Sequence, residues 1–444
     1  MTSALTRTPP SGGRTEWRAA GRAVRKACSR SSHGDWSPSE DRPDPLSVLA
    51  AQDEGRVEDL VALRYERMLQ SPFTFFRGSA AVMAWDLAHA AYTGMVVQAC
   101  GDAHVANFGG YGSPERRLVY DINDFDETAP APWEYDLKRL AASLVLDARD
   151  SGFSEAVAAE GVEAAVKRYA SITQTLSQLP ALEVHYSSVE TEAYLSRDLS
   201  PKLRKSVLRW ERKARRRNHQ QAYEKWVDQS GAVDRFKSQP PLLRPVSPST
   251  TEELREAFHS YRLTLPSHRR LLLDQYRFVD TAHKVVGVGS VGLRSYVVLL
   301  EGPGHPDPLL LQFKQAVGSV LETNAGVEPT ADHAQRVVKG QQIMQATSDP
   351  FLGSVKMGGR HYYVRQLRDM KSVTAGAPNT EEFKAGSELM GGTLARAHSR
   401  SRDPSWISGY LGSGRRFAQA IVRFARRYAD QAERDYEYVA KHKT

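Results

Sequence analysis

Cysteine is nearly missing: Cys28 and Cys100 are the only two in 444 residues, too few for a disulfide framework or a cysteine-ligated zinc site. A reducing compartment suits such a chain. No run approaches the roughly 18 apolar residues that a membrane-spanning helix requires, and the arginine-rich N-terminus lacks the apolar stretch of a secretory signal. A cytoplasmic protein without a membrane partner is therefore expected. Internal repeats are also lacking. Acidic residues are in deficit, 52 against 60 Lys and Arg, for a net charge of +8. The excess is local, since KLRKSVLRWERKARRR from Lys202 to Arg217 holds nine basic residues and one acid. A solvated helix face accounts for that run, and nucleic-acid binding through it is the weaker expectation.

What remains is an ordinary globular balance, 41% hydrophobic and 25% charged, in a chain longer than one compact domain. Residues 1–45, rich in Arg, Ser, Gly and Pro, read as an extended N-terminal arm. Residues 46–265 read as a helical lobe interrupted by one loop and strand. The proline-rich SQPPLLRPVSPST at 238–250 marks an internal boundary. Residues 266–375 are rich in β-branched and aliphatic residues around glycine turns, and residues 376–444 return to helical periodicity and complete the helical lobe. The fold class expected is α+β.

The chemistry concentrates in GDAHVANFGGYGSPERRLVYDINDFDET, from residue 101. Magnesium prefers oxygen ligands, and phosphoryl-transfer sites hold it with one or two carboxylates and an amide. Asp102 and Asn107 have the Asp-x4-Asn offset of the kinase catalytic loop. Asp102 would orient or deprotonate an acceptor hydroxyl, and Asn107 would bind metal. Asp124 closes a strand where a kinase shows Asp-Phe-Gly, and is the second metal ligand expected. His104 either orients the loop or acts in it. A Gly-Asp-rich turn satisfying its own amides is the competing explanation.

A second set lies far downstream. GVGSVG, with Gly287, Gly289, Ser290 and Gly292, stands between two apolar runs, which suggests a strand-turn-strand lid over ATP phosphates rather than a dinucleotide turn. Lys314 in LLLQFKQ sits in an apolar strand where an unpaired ammonium would be costly. Its helix partner is unclear: the following helix has no Glu, while Glu322 and Glu328 stand just ahead of it. Strand HYYVRQL would offer the backbone near Gln366 to an adenine. These pieces follow the catalytic loop in the chain, whereas an ordinary kinase has them first.

The segments RMLQSPFTFFRG, GDAHVANFG, DINDFDET, YDLKRLAASL, KVVGVGSVG, QRVVKGQQIMQ, YYVRQLRDMK and LARAHSRS together resemble the bacterial domain of unknown function 2252 family. The Asp124 and Asp136 placement also resembles the aminoglycoside phosphotransferases. That resemblance implies a bilobal, kinase-like, circularly permuted fold. The activity expected is an ATP- and magnesium-dependent phosphotransferase acting on a hydroxyl of a small-molecule acceptor. A nucleotide-binding pseudokinase or an AMP transferase is the alternative.

Overall fold

The computed structural model describes residues 12–367 and 369–443. In chain order the first elements are α1 (Arg14–Val24), α2 (Pro45–Ala51), α3 (Val61–Met68), α4 (Pro72–Gly78), α5 (Ala80–Ala88), β1 (Val96–Ala99), β2 (Phe108–Gly112), β3 (Leu118–Ile122) and β4 (Ala129–Pro132). Helices α6 (Trp133–Asp150), α7 (Glu155–Leu176), α8 (Ala181–Tyr186), α9 (Thr191–Leu195), α10 (Pro201–Arg216) and α11 (His219–Trp226) follow. Next come β5 (Val227–Asp228), β6 (Arg235–Phe236), β7 (Leu243–Pro245), α12 (Pro248–Thr264), α13 (Ser267–Leu273), β8 (Arg277–Lys284), β9 (Ser295–Glu301) and β10 (Pro308–Ala316). The last are α14 (Val320–Asn324), α15 (His333–Met344), β11 (Gly353–Met357), β12 (Arg360–Gln366), α16 (Thr380–Ser401), α17 (Ser405–Leu411) and α18 (Arg415–Lys443). The protein is α+β. No helix among the described residues is long and apolar enough to cross a membrane.

The six-stranded antiparallel sheet has the order β11-β12-β10-β9-β8-β7. Strand β10 is buried along its whole length, and side chains alternate between its two faces. Leu309, Leu311 and Phe313 pack against Leu254, Phe258 and Tyr261 of α12. Leu310 lies on the other face with Val297, Leu299 and the α11 residues Tyr223 and Trp226. Helices α11 and α12 thus bury their apolar faces on the sheet. The sheet-bearing unit accordingly begins near His219, not at residue 266. The proline-rich 238–250 segment runs over the surface, contributes edge strand β7, paired with β8, and opens α12.

The helical body surrounds a single large core reaching from Trp36 to Ala432. Its centre is α6, whose residues from Trp133 through Ala148 are all buried. The sequence gives this helix an apolar stripe, yet its charged side is enclosed as well, because those charges hold the neighbouring loop. Residues 12–45 are not an extended arm. Trp17, Ala20 and Val24 of α1 pack on the core, and Arg25 donates to the carbonyls of Gly409 at 2.6 Å and Tyr410 at 2.8 Å. Residues 1–11 of the expected arm lie outside the described residues. In α10, Trp210 rests beside Tyr120 and the Gly110 backbone, and Ala214 is buried. Its basic residues occupy the solvent side, as a solvated face requires.

Candidate functional site

The loop after β1 is held from below by α6. Asp136 accepts from the backbone N–H of Cys100 at 2.7 Å and of Gly101 at 2.9 Å. His398 Nε2 lies 2.9 Å from the same carboxylate, and Tyr169 Oη lies 2.9 Å from His398 Nδ1. Ser143 Oγ accepts from the N–H of Val105 at 3.0 Å. Gly101 has φ of +82°, and a Cβ there would fall 2.1 Å from the Glu127 carbonyl oxygen, so only glycine fits the turn.

The clamped loop presents Asp102, His104 and Asn107 to a cavity of about 690 Å³. Arg139, buried in α6, donates Nε to Asp102 Oδ1 at 2.6 Å. The Asn107 amide nitrogen donates to the Asp102 carbonyl at 2.7 Å, which leaves its amide oxygen for a cation. His104 is buried, its Nδ1 has no partner, and its Nε2 lies 3.7 Å from Asp102 Oδ2. Burial lowers its pKa to about 4, with Asp102 pulling the other way, so the ring is neutral near pH 7.

The β2-β3 register places Phe108 opposite Ile122, and Asn123 N–H donates to the Asn107 carbonyl at 2.8 Å. Asp124 is thereby carried to the same cavity. Its Oδ1 is buried with no hydrogen-bond partner. Burial alone would raise its pKa, but Lys314, Arg365 and Lys371 outweigh it and hold the carboxyl at about 2. An ionised carboxylate with an unpartnered oxygen and a nearby amide oxygen fits magnesium, which takes hard oxygen ligands and keeps several waters.

From the sheet, the turn between β8 and β9 brings Gly287, Gly289 and Ser290 to the cavity wall. Gly292 stands just behind it, with φ of +90° and the Arg56 Cβ 3.1 Å from where its own Cβ would be. The turn is fastened to the helical body: Val57 N–H donates to the Gly292 carbonyl at 2.8 Å, and Arg67 Nη1 to the Gly287 carbonyl at 3.0 Å. Glycine loop and carboxylate loop, remote in sequence, therefore line one cavity.

Lys314 is buried and ion-paired with Asp126, and its Nζ lies 3.8 Å from Asp124 Oδ2. Burial lowers its pKa, but the two carboxylates prevail and raise it. Tyr363 donates to the other Asp126 oxygen at 2.8 Å. The partner of Lys314 is thus the second acid of Asp-Phe-Asp. Glu322 instead caps α14 and lies 3.7 Å from Arg336. Gln366 ends β12 away from the cavity wall, and its N–H donates to Asp349 Oδ2 at 2.5 Å. Arg365 and Lys371 both reach the Asn123 carbonyl at 3.4 Å. Burial and then Arg365 bring the Lys371 ammonium down to about 7.

Three functional groups, Arg139, Glu127 and Arg77, escaped the sequence reading. Arg139 shares one face of α6 with Asp136, three residues before it, a signal visible only once Asp136 is known to face the loop. Glu127, on the cavity wall, is pushed up to about 7 by burial, although the Val320 N–H bonds its carboxylate. Arg77 also lines the cavity. The one three-residue cluster of carboxylate and imidazole groups found at ligand spacing among the described residues, Asp234, Glu301 and His305, lies elsewhere, with Glu301 already paired to Arg277.

Fold and site define an α+β protein whose antiparallel sheet and helical body share a cavity walled by a glycine turn and an acidic loop. The chain matches, over residues 56–442, the family described as "Uncharacterized protein conserved in bacteria (DUF2252)", and it belongs to that family. No curated protein and no solved structure matches it.

Proposed function

We propose that the protein is an ATP- and magnesium-dependent phosphotransferase acting on a hydroxyl of a small-molecule acceptor, built on a bilobal, kinase-like, circularly permuted fold. One observation carries the reading: Asp102, Asn107 and Asp124 line the same cavity as Gly287, Gly289 and Ser290. The order of parts supports it. A glycine turn, a lysine strand, a helix and a hairpin are the components of a kinase nucleotide lobe, here β8 to β12 with α15, and the helices that would follow a kinase hinge come from both flanks. Gly-turn amides would cradle the phosphates, and Lys314, fixed by Asp126, would face them. Asn107 and Asp124 would hold magnesium, which when bound neutralises charge on the phosphate oxygens. The acceptor oxygen attacks the γ-phosphorus, the bond to the β–γ bridging oxygen breaks, ADP leaves and the hydroxyl proton passes to Asp102.

Transfer of label from γ-labelled ATP to an acceptor pool, magnesium-dependent and abolished in a folded Asp124→Ala variant, is the expected result. Undetectable ATP binding by the wild-type chain would remove the reading. Nucleotidyl transfer is a second reading, with the triphosphate reversed in the same cavity. Transfer of α-label in place of γ-label identifies it.

A further inference from the structure

Most cations about the cavity are spoken for. Arg139 holds Asp102, Lys314 holds Asp126, and Arg56 donates to the carbonyls of Gln52 at 2.8 Å and Val291 at 2.5 Å. Arg77 is different. It stands in the last turn of α4, where Phe73, Phe75 and Phe76 are buried in the body, and it lines the cavity together with Asp102 and His104. Its Nε is sealed from solvent with no partner, and it takes part in none of the ion pairs among the described residues. Its one marked contact is with the Phe73 ring, 5.9 Å from the guanidinium carbon.

Each of the two carboxylates that act on it from a distance has one oxygen engaged elsewhere. Asp102 Oδ1 is taken by Arg139, and Asp147 Oδ1 accepts from the Gly376 N–H at 3.2 Å. Burial lowers the Arg77 pKa, and Asp102 and Asp147 only partly oppose it. Arg77 shares the wall with Asp102, while Arg139 approaches the same carboxylate from α6, outside the cavity lining. A half-buried guanidinium whose Nε has no partner is completed by an anion, and its planar fork matches a carboxylate or phosphate.

Position separates the nucleotide from the acceptor as the source of that anion. The Arg77 carbonyl abuts the middle of the glycine turn, 3.3 Å from where a Gly289 Cβ would be, and its side chain shares the wall with Asp102. Arg77 therefore stands where a terminal phosphate would meet the acceptor, on the side of the group that orients the hydroxyl. The nucleotide's own phosphates would have the turn amides and a metal.

We propose that Arg77 is the receptor for an anionic group on the acceptor, so that the compound modified carries a carboxylate or phosphate beside its reactive hydroxyl. The assignment of that anion to an acceptor rests on the phosphotransferase reading. The site's demand for an anion does not.

The test is calorimetric titration of inorganic phosphate, and separately of acetate, onto the full chain saturated with magnesium and a non-hydrolysable ATP analogue. Saturable binding is expected, at least about tenfold weaker in Arg77→Gln and partly kept in Arg77→Lys, with analogue affinity within about twofold of wild type in both. The tighter of the two anions gives the class of acceptor. Wild-type protein that binds neither anion, or Arg77→Gln that binds both unchanged, overturns the proposal. So does a tenfold loss of analogue affinity with phosphate competing against the analogue, because Arg77 would then serve the nucleotide. If the analogue fails to bind wild type, the phosphotransferase reading falls, and titration of the nucleotide-free chain still decides whether Arg77 receives an anion. Should Arg77→Gln not fold, modification of wild-type Arg77 by a dicarbonyl reagent, mapped by mass spectrometry, replaces it. Protection by phosphate supports the site, and unchanged labelling overturns it.

Discussion

At the scale of single residues, most of the charged side chains in and under the acidic loop are already occupied. Asp136 is spent on two loop amides and His398, Asp126 on Lys314 and Tyr363, and Arg139 on Asp102. Asp124 Oδ1 and the amide oxygen of Asn107 are left over, and leftover oxygen is what a hard cation needs. His104 is neutral because burial disfavours its charged form. That makes a pH prediction with a definite sign. Its folded pKa of about 4 lies below the unfolded value of roughly 6.5, so its contribution is complete above pH 6.5 and is lost as pH falls toward 4. In urea titrations the wild type should lose about 2 kcal/mol more than His104→Gln between pH 7 and pH 5. Equal losses in the two proteins would show that His104 does not stay neutral when folded.

Among elements, the glycine turn illustrates how a sequence pattern and its environment divide the information. GVGSVG between apolar runs announces a strand-turn-strand, and β8 and β9 flank it as expected. The pattern says nothing of what the turn touches. Gly292 needs its positive φ and has the Arg56 side chain behind it, whereas Gly289 has no positive φ and a Cβ there would meet only the Arg77 carbonyl at 3.3 Å and the Gly78 Cα at 3.8 Å. Alanine at the two positions should therefore separate. Gly292→Ala is expected to cost about 1–3 kcal/mol through backbone strain, and Gly289→Ala less than about 1 kcal/mol, both measured by urea unfolding. Comparable costs would mean that the turn relaxes freely. Helix α6 shows the converse limit. Its apolar spacing reveals a core helix, but the burial of its charged side follows from the loop folding onto it, which no local pattern encodes.

Across the whole molecule, the parts least legible in the sequence are those fixed by contacts between distant segments. The Arg-, Ser- and Pro-rich start of the chain reads as loose, yet Arg42 within it bonds Asp86 of α5 at 2.8 and 2.9 Å and Asp435 of α18 at 2.9 and 2.6 Å. Tyr428 adds a bond to Asp86 at 2.7 Å. Composition marks Arg42 as surface, and only its three-way junction buries it. The boundary near His219 was hidden for a related reason: α11 and α12 look like the helices before them until the sheet they cover is in place. The junction should behave as buried ion pairs do. Removing the cation alone, in Arg42→Met, strands two enclosed carboxylates and is expected to cost about 3–5 kcal/mol. Replacing the whole set, Arg42→Met with Asp86→Asn and Asp435→Asn, removes the stranded charges and should recover much of that loss in urea unfolding. Because α18 also packs on α4, which carries Arg77, the single variant is expected to loosen the Arg77 side of the cavity before the glycine turn. Phosphate affinity should then fall more than nucleotide affinity. A triple variant no more stable than Arg42→Met would instead assign the junction's strength to packing of the arginine stem.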